Sequence, residues 1–197
     1  MPLSDKQHGG SSVPLWMVAL AVVLFVMRYG AGESISAETD RLEVAAESGG
    51  GVRATAQVFF PARPAVVQAL LTDYPHWPAL FVVRMRVAEL SIRDGVATVD
   101  LRIEHSLMPG EHQLVTESRI LPNGGLVTDL KGGDFKRYHR VWTLNPVEAG
   151  NRTRADFELV VEIESMVPDW LVAIAMRQEL EAHFRIVKQK ALEQSKR

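Results

Sequence analysis

Histidine is the side chain best suited to acid–base or metal chemistry near neutral pH, and this chain carries six histidines and no cysteine. Five of them follow the first forty residues, at His76, His105, His112, His139 and His183. None has the spacing of a metal-ligand motif such as HExxH. We therefore expect no metal and no cofactor, and we expect these histidines at the surface or at the rim of a pocket.

Nucleophilic catalysis has little support in the sequence. Ser118, His105 and Asp129 supply the residue types of a catalytic triad, but no nucleophile elbow surrounds the serine. The glycines at 49–51 and 132–133 are not followed by Gly-Lys-Ser/Thr, so they predict turns rather than phosphate loops. The residue types favour a binding protein over an enzyme, although an enzymatic function stays open.

Polar residues that share a strand face with apolar ones are candidates to orient a ligand. Ala97, Val99 and Leu101 alternate with polar residues, and the same parity turns His105 inward. Ligand cavities are mostly apolar with a few placed polar groups. A register slip or a bulge would instead turn a whole set outward. The candidate ligand-binding residues are Tyr138, Arg140, Trp142, His105, Thr116, Ser118, Thr128 and Phe157 on strands, with Leu180 and Phe184 on the C-terminal segment.

Arg140 is the most informative of these candidates, because burial of an unpaired guanidinium is costly. Its parity places it with Tyr138 and Trp142, whereas His139 should face solvent. One hypothesis is that Arg140 meets the polar end of a ligand. The alternative is that it forms a structural ion pair.

The first half of the chain predicts a hairpin followed by a short helix. Leu42–Phe60 alternates around a Ser/Gly turn, and residues 64–71 change to a helical spacing that begins at a proline. A connector over 72–80 contains two prolines. Its aromatic residues, Tyr74 and Trp77 together with Phe81, predict either a gate at a cavity mouth or a packed plug.

The second half predicts about five strands and one long helix. Short connections between the strands indicate an antiparallel meander with one apolar face. Residues 169–196 lack proline and glycine and predict an amphipathic helix. Only this helix is long enough to cover the apolar face, so we expect an α+β fold in which the sheet wraps the helix. Its predicted apolar face comprises Leu171, Ile174, Leu180, Phe184, Val187 and Ala191.

The N-terminus predicts export. Val13–Met27 is an uncharged apolar run of 15 residues, within the range of about 7–15 for signal peptides and short of the roughly 20 that span a bilayer. Small residues at 30–32 and 34–37 offer two cleavage sites, whereas Arg28 could flank an uncleaved anchor. We therefore expect residues 1–37 to be a signal peptide or a membrane anchor. The domain over 38–197 should then be periplasmic or exported, with or without a tether to the inner membrane.

The charge balance excludes one class of partner. Lys and Arg total 22 against 24 Asp and Glu, for a net charge of -2. A chain without a basic field does not attract a polyanion. Nucleic acid is therefore not an expected partner.

Two phrases of the sequence resemble a known superfamily. Residues 66–78 read VVQALLTDYPHWP, and residues 133–146 read GDFKRYHRVWTLNP. Together with the order of elements, they resemble the helix-grip START-like superfamily, in its polyketide cyclase and coenzyme Q-binding branch, over residues 50–194. The resemblance implies a helix-grip fold and a START-like ligand-binding domain with a cavity between sheet and C-terminal helix.

Three functions are compatible with these patterns. The first is a carrier or sensor of a hydrophobic small molecule in the cell envelope, such as a lipid, an isoprenoid or quinone, or a polyketide-like compound. The second is a cyclase or dehydratase in which Tyr138, Arg140 or His105 polarises a carbonyl group. The third is a protein-interaction module that uses the fold as a scaffold.

Overall fold

Alternating segments joined by short turns form one antiparallel sheet of eight strands. The structure is a computed structural model that describes residues 39–122, 124–164 and 167–196. The predicted signal peptide or anchor over residues 1–37 lies outside the described residues. The strands are β1 (Arg41–Ala46), β2 (Val52–Phe60), β3 (Arg84–Arg93), β4 (Val96–His105), β5 (Met108–Ile120), β6 (Leu126–Gly133), β7 (Phe135–Val147) and β8 (Arg152–Ile163). The helices are α1 (Pro64–Thr72) and α2 (Asp169–Gln194), with 3-10 turns η1 (Tyr74–Leu80) and η2 (Glu148–Gly150).

The strand order is β1-β2-β8-β7-β6-β5-β4-β3. The meander therefore has six strands, β3 to β8, rather than about five. The N-terminal hairpin adds to its far edge, because β2 pairs with β8 from Val52 opposite Val161 to Phe60 opposite Thr153. The predicted helix-grip α+β architecture is confirmed, with an open antiparallel sheet and a long C-terminal helix.

The C-terminal half of α2 packs closely against the apolar face of the sheet. Trp142 of β7, Phe157 of β8 and Phe184 of α2 are buried together. The Trp142 ring centroid lies 4.6 Å from that of Phe157 and 5.7 Å from that of Phe184. Aromatic pairs at such distances stabilise a core beyond the area they bury. This cluster anchors the helix on the sheet.

The predicted apolar face of α2 is wrong at Ile174, which is 50% exposed. Ile174 lies six positions before the buried Leu180 on α2. At about 100° per residue, this places Ile174 about 120° around the helix from the packed stripe. Neither helix of the described residues combines the length and the apolarity that crossing a membrane requires.

One glycine at the end of β6 allows a close approach between strands. Gly133 has a φ of +104°, and a Cβ atom there would lie 2.3 Å from the carbonyl oxygen of Gln113 on β5. Its neighbour Gly132 has open space around the corresponding position. The backbone of residue 133 therefore accepts no side chain without moving β5.

Gly133→Ala is expected to lower the free energy of unfolding by at least about 1 kcal/mol, since alanine at this φ is strained and its Cβ meets backbone. Gly132→Ala is the matched control and should change stability by less. Chemical denaturation of both variants checks the difference. Equal stabilities would show that β5 and β6 adjust to a side chain at residue 133.

Candidate functional site

A cavity of about 170 Å³ lies between the sheet and the N-terminal half of α2. Strand residues form one wall, α2 forms the opposite wall, and η1 with the start of β3 closes a third side. The cavity is lined by Trp77, Phe81, Val83, Met85, Leu101, Ile103, His105, Leu107, Met108, Leu114, Phe135, Tyr138, Arg140, Leu159, Val161, Ile163, Val172, Ala175, Met176, Glu179, Leu180 and His183.

The strand register defines two ends of this cavity. Phe135 is the first residue of β7 and pairs with Ile163, the last residue of β8, so both lie at the same end of these two neighbouring strands. We call this the outer end of the cavity; His105, at the end of β4, lies there too. Arg140, five residues along β7 from Phe135, pairs with Leu159. We call the region around Arg140, where the cavity meets the aromatic core, the inner end.

Arg140 brings a positive charge to the inner end. Its side chain is buried, with 6% of the residue exposed. The guanidinium carbon lies 4.7 Å from the ring centroid of Trp77 and 6.0 Å from that of Tyr138. Trp77 is itself held in place, because its Nε1 donates a hydrogen bond of 3.0 Å to the carbonyl of Leu71. Cation–π attraction offsets part of the cost of burying the charge.

The hydrogen bonds of Arg140 are few for a buried guanidinium, which has five N–H donors. One Nη donates to the Thr128 hydroxyl over a long 3.5 Å, and Nε is buried without a partner. Thr128 in turn shares a hydrogen bond of 2.9 Å with Ser118. Among the ion pairs of the described residues, none includes Arg140. The structural ion pair considered for this residue is therefore not observed among the described residues.

His183 is a second polar group at the inner end, and the expectation of a surface or rim position for it is wrong. It is 2% exposed, and its Nδ1 donates a 2.8 Å hydrogen bond to the carbonyl of Leu80. Its ring stacks on Phe81 with centroids 4.2 Å apart and an interplanar angle of 7°. It lies three residues after Leu180 and so belongs to the buried stripe of α2.

Burial sets the charge state of His183. Loss of hydration lowers its pKa to about 4, the Leu80 hydrogen bond opposes this shift, and the charge of Arg140 adds to it. Burial also favours the neutral form of Tyr74, which packs edge-on against Trp77, and so raises its pKa. The charge of Arg140 and a hydrogen bond with the Ser118 hydroxyl oppose this rise. Both side chains are therefore neutral near pH 7.

A histidine–carboxylate pair occupies the rim near the outer end. Nε2 of His105 on β4 contacts Oε1 of Glu179 on α2. The backbone N–H of Leu107 donates to Nδ1 of His105 over 3.1 Å, so the ring proton of the neutral form lies on Nε2 and points to the carboxylate. This pair joins the end of β4 to the helix above the cavity.

The structure divides the predicted ligand-binding residues into two groups. Tyr138, Arg140, His105 and Leu180 line the cavity. The others are buried in the adjacent core, and their role in ligand binding stays a prediction, as does that of the first group. The core group comprises Thr116, Ser118, Thr128, Trp142, Phe157 and Phe184.

Glu179 and His183 were not predicted as cavity residues from the sequence. For Trp77 the sequence left two roles open, a gate at the cavity mouth or a packed plug. Glu179 and His183 are four residues apart on α2 and share a face with Leu180, so a closer look at the helical spacing could have found them. Trp77 carried no such signal, because its contact with Arg140 joins residues far apart in the chain.

The residues of the possible triad have separate partners. Ser118 bonds Thr128, His105 bonds Glu179, and Asp129 accepts from His139 over 2.7 Å. Each side chain is engaged elsewhere in the sheet or on α2. The three therefore do not form a serine, histidine and aspartate relay.

The buried His183 predicts a loss of stability on acidification. The unfolded chain takes up this proton near the ordinary pKa of 6.5, whereas the folded chain takes it up only near 4. Neutral His183 thus makes its full contribution to the free energy of unfolding above pH 6.5. As the pH falls towards 4, up to about 3 kcal/mol of that free energy is lost. Denaturation curves between pH 7.5 and pH 4.5 measure it.

His183→Asn, which keeps a donor for Leu80, should lose this part of the pH dependence. His76→Asn is the control, because the His76 side chain is 77% exposed. It should keep the wild-type slope. The same slope in wild type and in His183→Asn would contradict the assignment.

Comparison with known proteins agrees with this architecture. The START superfamily protein from Mycobacterium smegmatis has a TM-score of 0.58 at 17% identity, covering 72% of this chain and 97% of that one. The STAR-related lipid transfer protein (fragment 25-204) from Xanthomonas axonopodis has a TM-score of 0.62 at 14% identity, covering 79% and 94%. The Zhui aromatase/cyclase from Streptomyces sp. R1128 has a TM-score of 0.53 at 11% identity, covering 81% and 95%. At these identities the likeness shows the fold.

Comparison with curated protein sequences finds no match. A family profile described as polyketide cyclase / dehydrase and lipid transport matches residues 60–183, which is more than half of the chain. The match runs from the end of β2 to His183 and so includes every strand that lines the cavity. The resemblance to the START-like superfamily is confirmed, and the chain belongs to the polyketide cyclase / dehydrase and lipid transport family.

Proposed function

We propose that this protein binds a hydrophobic small molecule in the cavity between the sheet and α2, and that it acts as a carrier or sensor of that molecule in the cell envelope. The observation that carries the proposal is the lining of the cavity. Most of its residues are aliphatic or aromatic; the charged groups lie towards its two ends, and Tyr138 lies between them in the register of β7. A concave apolar surface with a few placed polar groups is typical of a small-molecule site.

The comparisons support the ligand class. The family description includes lipid transport, and the Xanthomonas axonopodis structure is a STAR-related lipid transfer protein. Fold alone does not decide function, so the proposal depends on the cavity of this chain.

The volume of the cavity limits what enters without movement. An apolar cavity of about 150 Å³ holds one benzene ring. The 170 Å³ observed here therefore suits a single ring or a short chain. A larger ligand, including a three-ring dye such as N-phenyl-1-naphthylamine, would require the N-terminal half of α2 to shift. Val172, Ala175 and Met176 in that half are only partly buried, so little packing resists such a shift.

Blocking the cavity tests ligand binding directly. Ala175 lines the cavity on α2, and Ala175→Phe should fill it and weaken binding of the neutral dye N-phenyl-1-naphthylamine at least roughly tenfold, since the dye loses its apolar contacts. Fluorescence titration gives the affinity. Ala173→Phe is the matched control, on the same helix but outside the lining, and should bind the dye as wild type does. Equal binding by both variants would place the dye elsewhere.

The location in the envelope rests on the apolar run Val13–Met27. If this run is a signal peptide, the mature protein should begin between about Glu33 and Glu38. N-terminal sequencing of protein from the envelope fraction reads the start directly. An intact Met1 in the membrane pellet would identify an anchor, and intact protein in the cytosol would contradict export.

A further inference from the structure

The polar groups of the cavity are distributed unequally between its ends. Arg140 places one positive charge at the inner end, where Tyr74 and His183 are neutral. The carboxylate of Glu179 lies near the outer end, next to His105. Between them on the strands lie the apolar Leu101 and Val161, with Tyr138 opposite Val161. A ligand in this cavity therefore meets a cation at one end and an anion at the other.

The charge of Arg140 is not neutralised by the described residues. Its contacts are two aromatic rings and one long hydrogen bond to Thr128, and its Nε has no partner. A buried cation without a carboxylate is costly, and an oxyanion that accepts from two N–H groups would relieve that cost. The residue also lines the cavity, so a ligand can reach it.

The neighbours of Arg140 respond to this charge. It adds to the lowering of the pKa of His183, after the larger effect of burial, and it opposes the rise that burial causes in the pKa of Tyr74. A guanidinium paired with a carboxylate would affect its neighbours less. Arg140 is the one lysine or arginine among the described lining residues, so the inner end of the cavity is electropositive, which favours an anion there.

We propose that the ligand is an amphiphile with one carboxylate, bound with the carboxylate against Arg140 at the inner end and with its apolar part directed to the outer end. The proposal rests on the proposed function and names its ligand class. One guanidinium matches one carboxylate in charge and in its bidentate geometry. A phosphate monoester would bring a second charge for which the inner end offers no cation among the described residues.

The orientation follows from the second charge. A carboxylate at the outer end would lie near Glu179, and the two like charges would repel each other. The apolar part of the ligand fits there instead, since Leu107, Phe135 and Ile163 line that end. The volume of about 170 Å³ suits a short chain or one aromatic ring.

A matched pair of probes tests the proposal. Octanoate and 1-octanol have the same number of carbon atoms and differ in the charge of the head group. In wild type, octanoate should displace N-phenyl-1-naphthylamine at a concentration roughly tenfold to a hundredfold lower than 1-octanol does, as expected for a charged hydrogen bond in place of a neutral one. Equal affinities would overturn the carboxylate assignment. This comparison needs no variant.

Variants locate the preference. Arg140→Gln should abolish the preference for octanoate while 1-octanol and the dye still bind, and His139→Gln, one residue along β7 on the opposite face, should keep it. A preference that survives in folded Arg140→Gln would overturn the role of Arg140. If Arg140→Gln fails to fold, Arg140→Lys replaces it, because lysine keeps the charge without the planar guanidinium. Arg140→Lys should bind octanoate more weakly than wild type does. Unchanged affinity would overturn bidentate pairing between Arg140 and the carboxylate.

Two further measurements separate the remaining possibilities. Glu179→Gln should change the octanoate affinity less than about threefold, because the carboxylate is at the other end; a gain above tenfold would overturn the orientation. Octyl phosphate should bind more weakly than octanoate, and tighter binding would overturn the choice of carboxylate. If the protein binds the dye and 1-octanol but does not prefer octanoate, the proposed function remains intact and only the carboxylate assignment fails. Failure of the dye and of every probe to bind wild type would instead contradict the proposed function itself.

Discussion

The apolar face of the sheet must be covered, and α2 is the element that covers it. Trp142 and Phe157 on the sheet meet Phe184 on the helix, and these large rings fill the space at the C-terminal half of α2. At the N-terminal half, Val172 and Ala175 face the sheet with much shorter side chains. The two surfaces are held at the separation that the rings require, so the short side chains leave a cavity. Burial of apolar surface thus builds the fold, and the change in side-chain volume along one helix builds the site.

The cavity keeps a charge that the core does not need. Replacing a buried ion by an apolar residue of similar size is often neutral or stabilising, so Arg140 has no clear benefit for folding. Arg140 lies at the boundary between the packed core and the cavity, where the pairing of β7 with β8 fixes its backbone. The Trp77 ring of η1 adds a cation–π contact with the guanidinium. A rigid charge at the closed end of an apolar space is well suited to orient a ligand, since little reorganisation accompanies binding.

The rim of the site depends on a different kind of contact. The pair His105–Glu179 joins the end of β4 to α2 at the outer end of the cavity, and both side chains retain some exposure, 15% and 35% respectively. Exposed or half-exposed ion pairs contribute little to stability. The N-terminal half of α2 lacks the aromatic cluster of the C-terminal half and is held instead by this pair and by hydrogen bonds of Asp169 with the Gly51 N–H and of Arg177 with the Leu42 carbonyl. An opening movement for ligand entry would require only this half of the helix to separate from the sheet.

Alternation along the strands determined which residues face inward, because successive side chains of a strand point to opposite faces whatever the rest of the chain does. Arg140, Tyr138 and the candidates on β4 to β6 could be assigned to one face for this reason, and the long proline-free segment determined the covering helix. The same local rules say nothing about residues distant in the chain. The pairing of β2 with β8, the placement of Trp77 over Arg140 and the contact of His105 with Glu179 all depend on how the elements come together. Only the tertiary structure decided that Arg140 has aromatic neighbours instead of a carboxylate and that His183 is buried, because burial and pairing arise from the packing of separate elements rather than from the periodicity of any one of them.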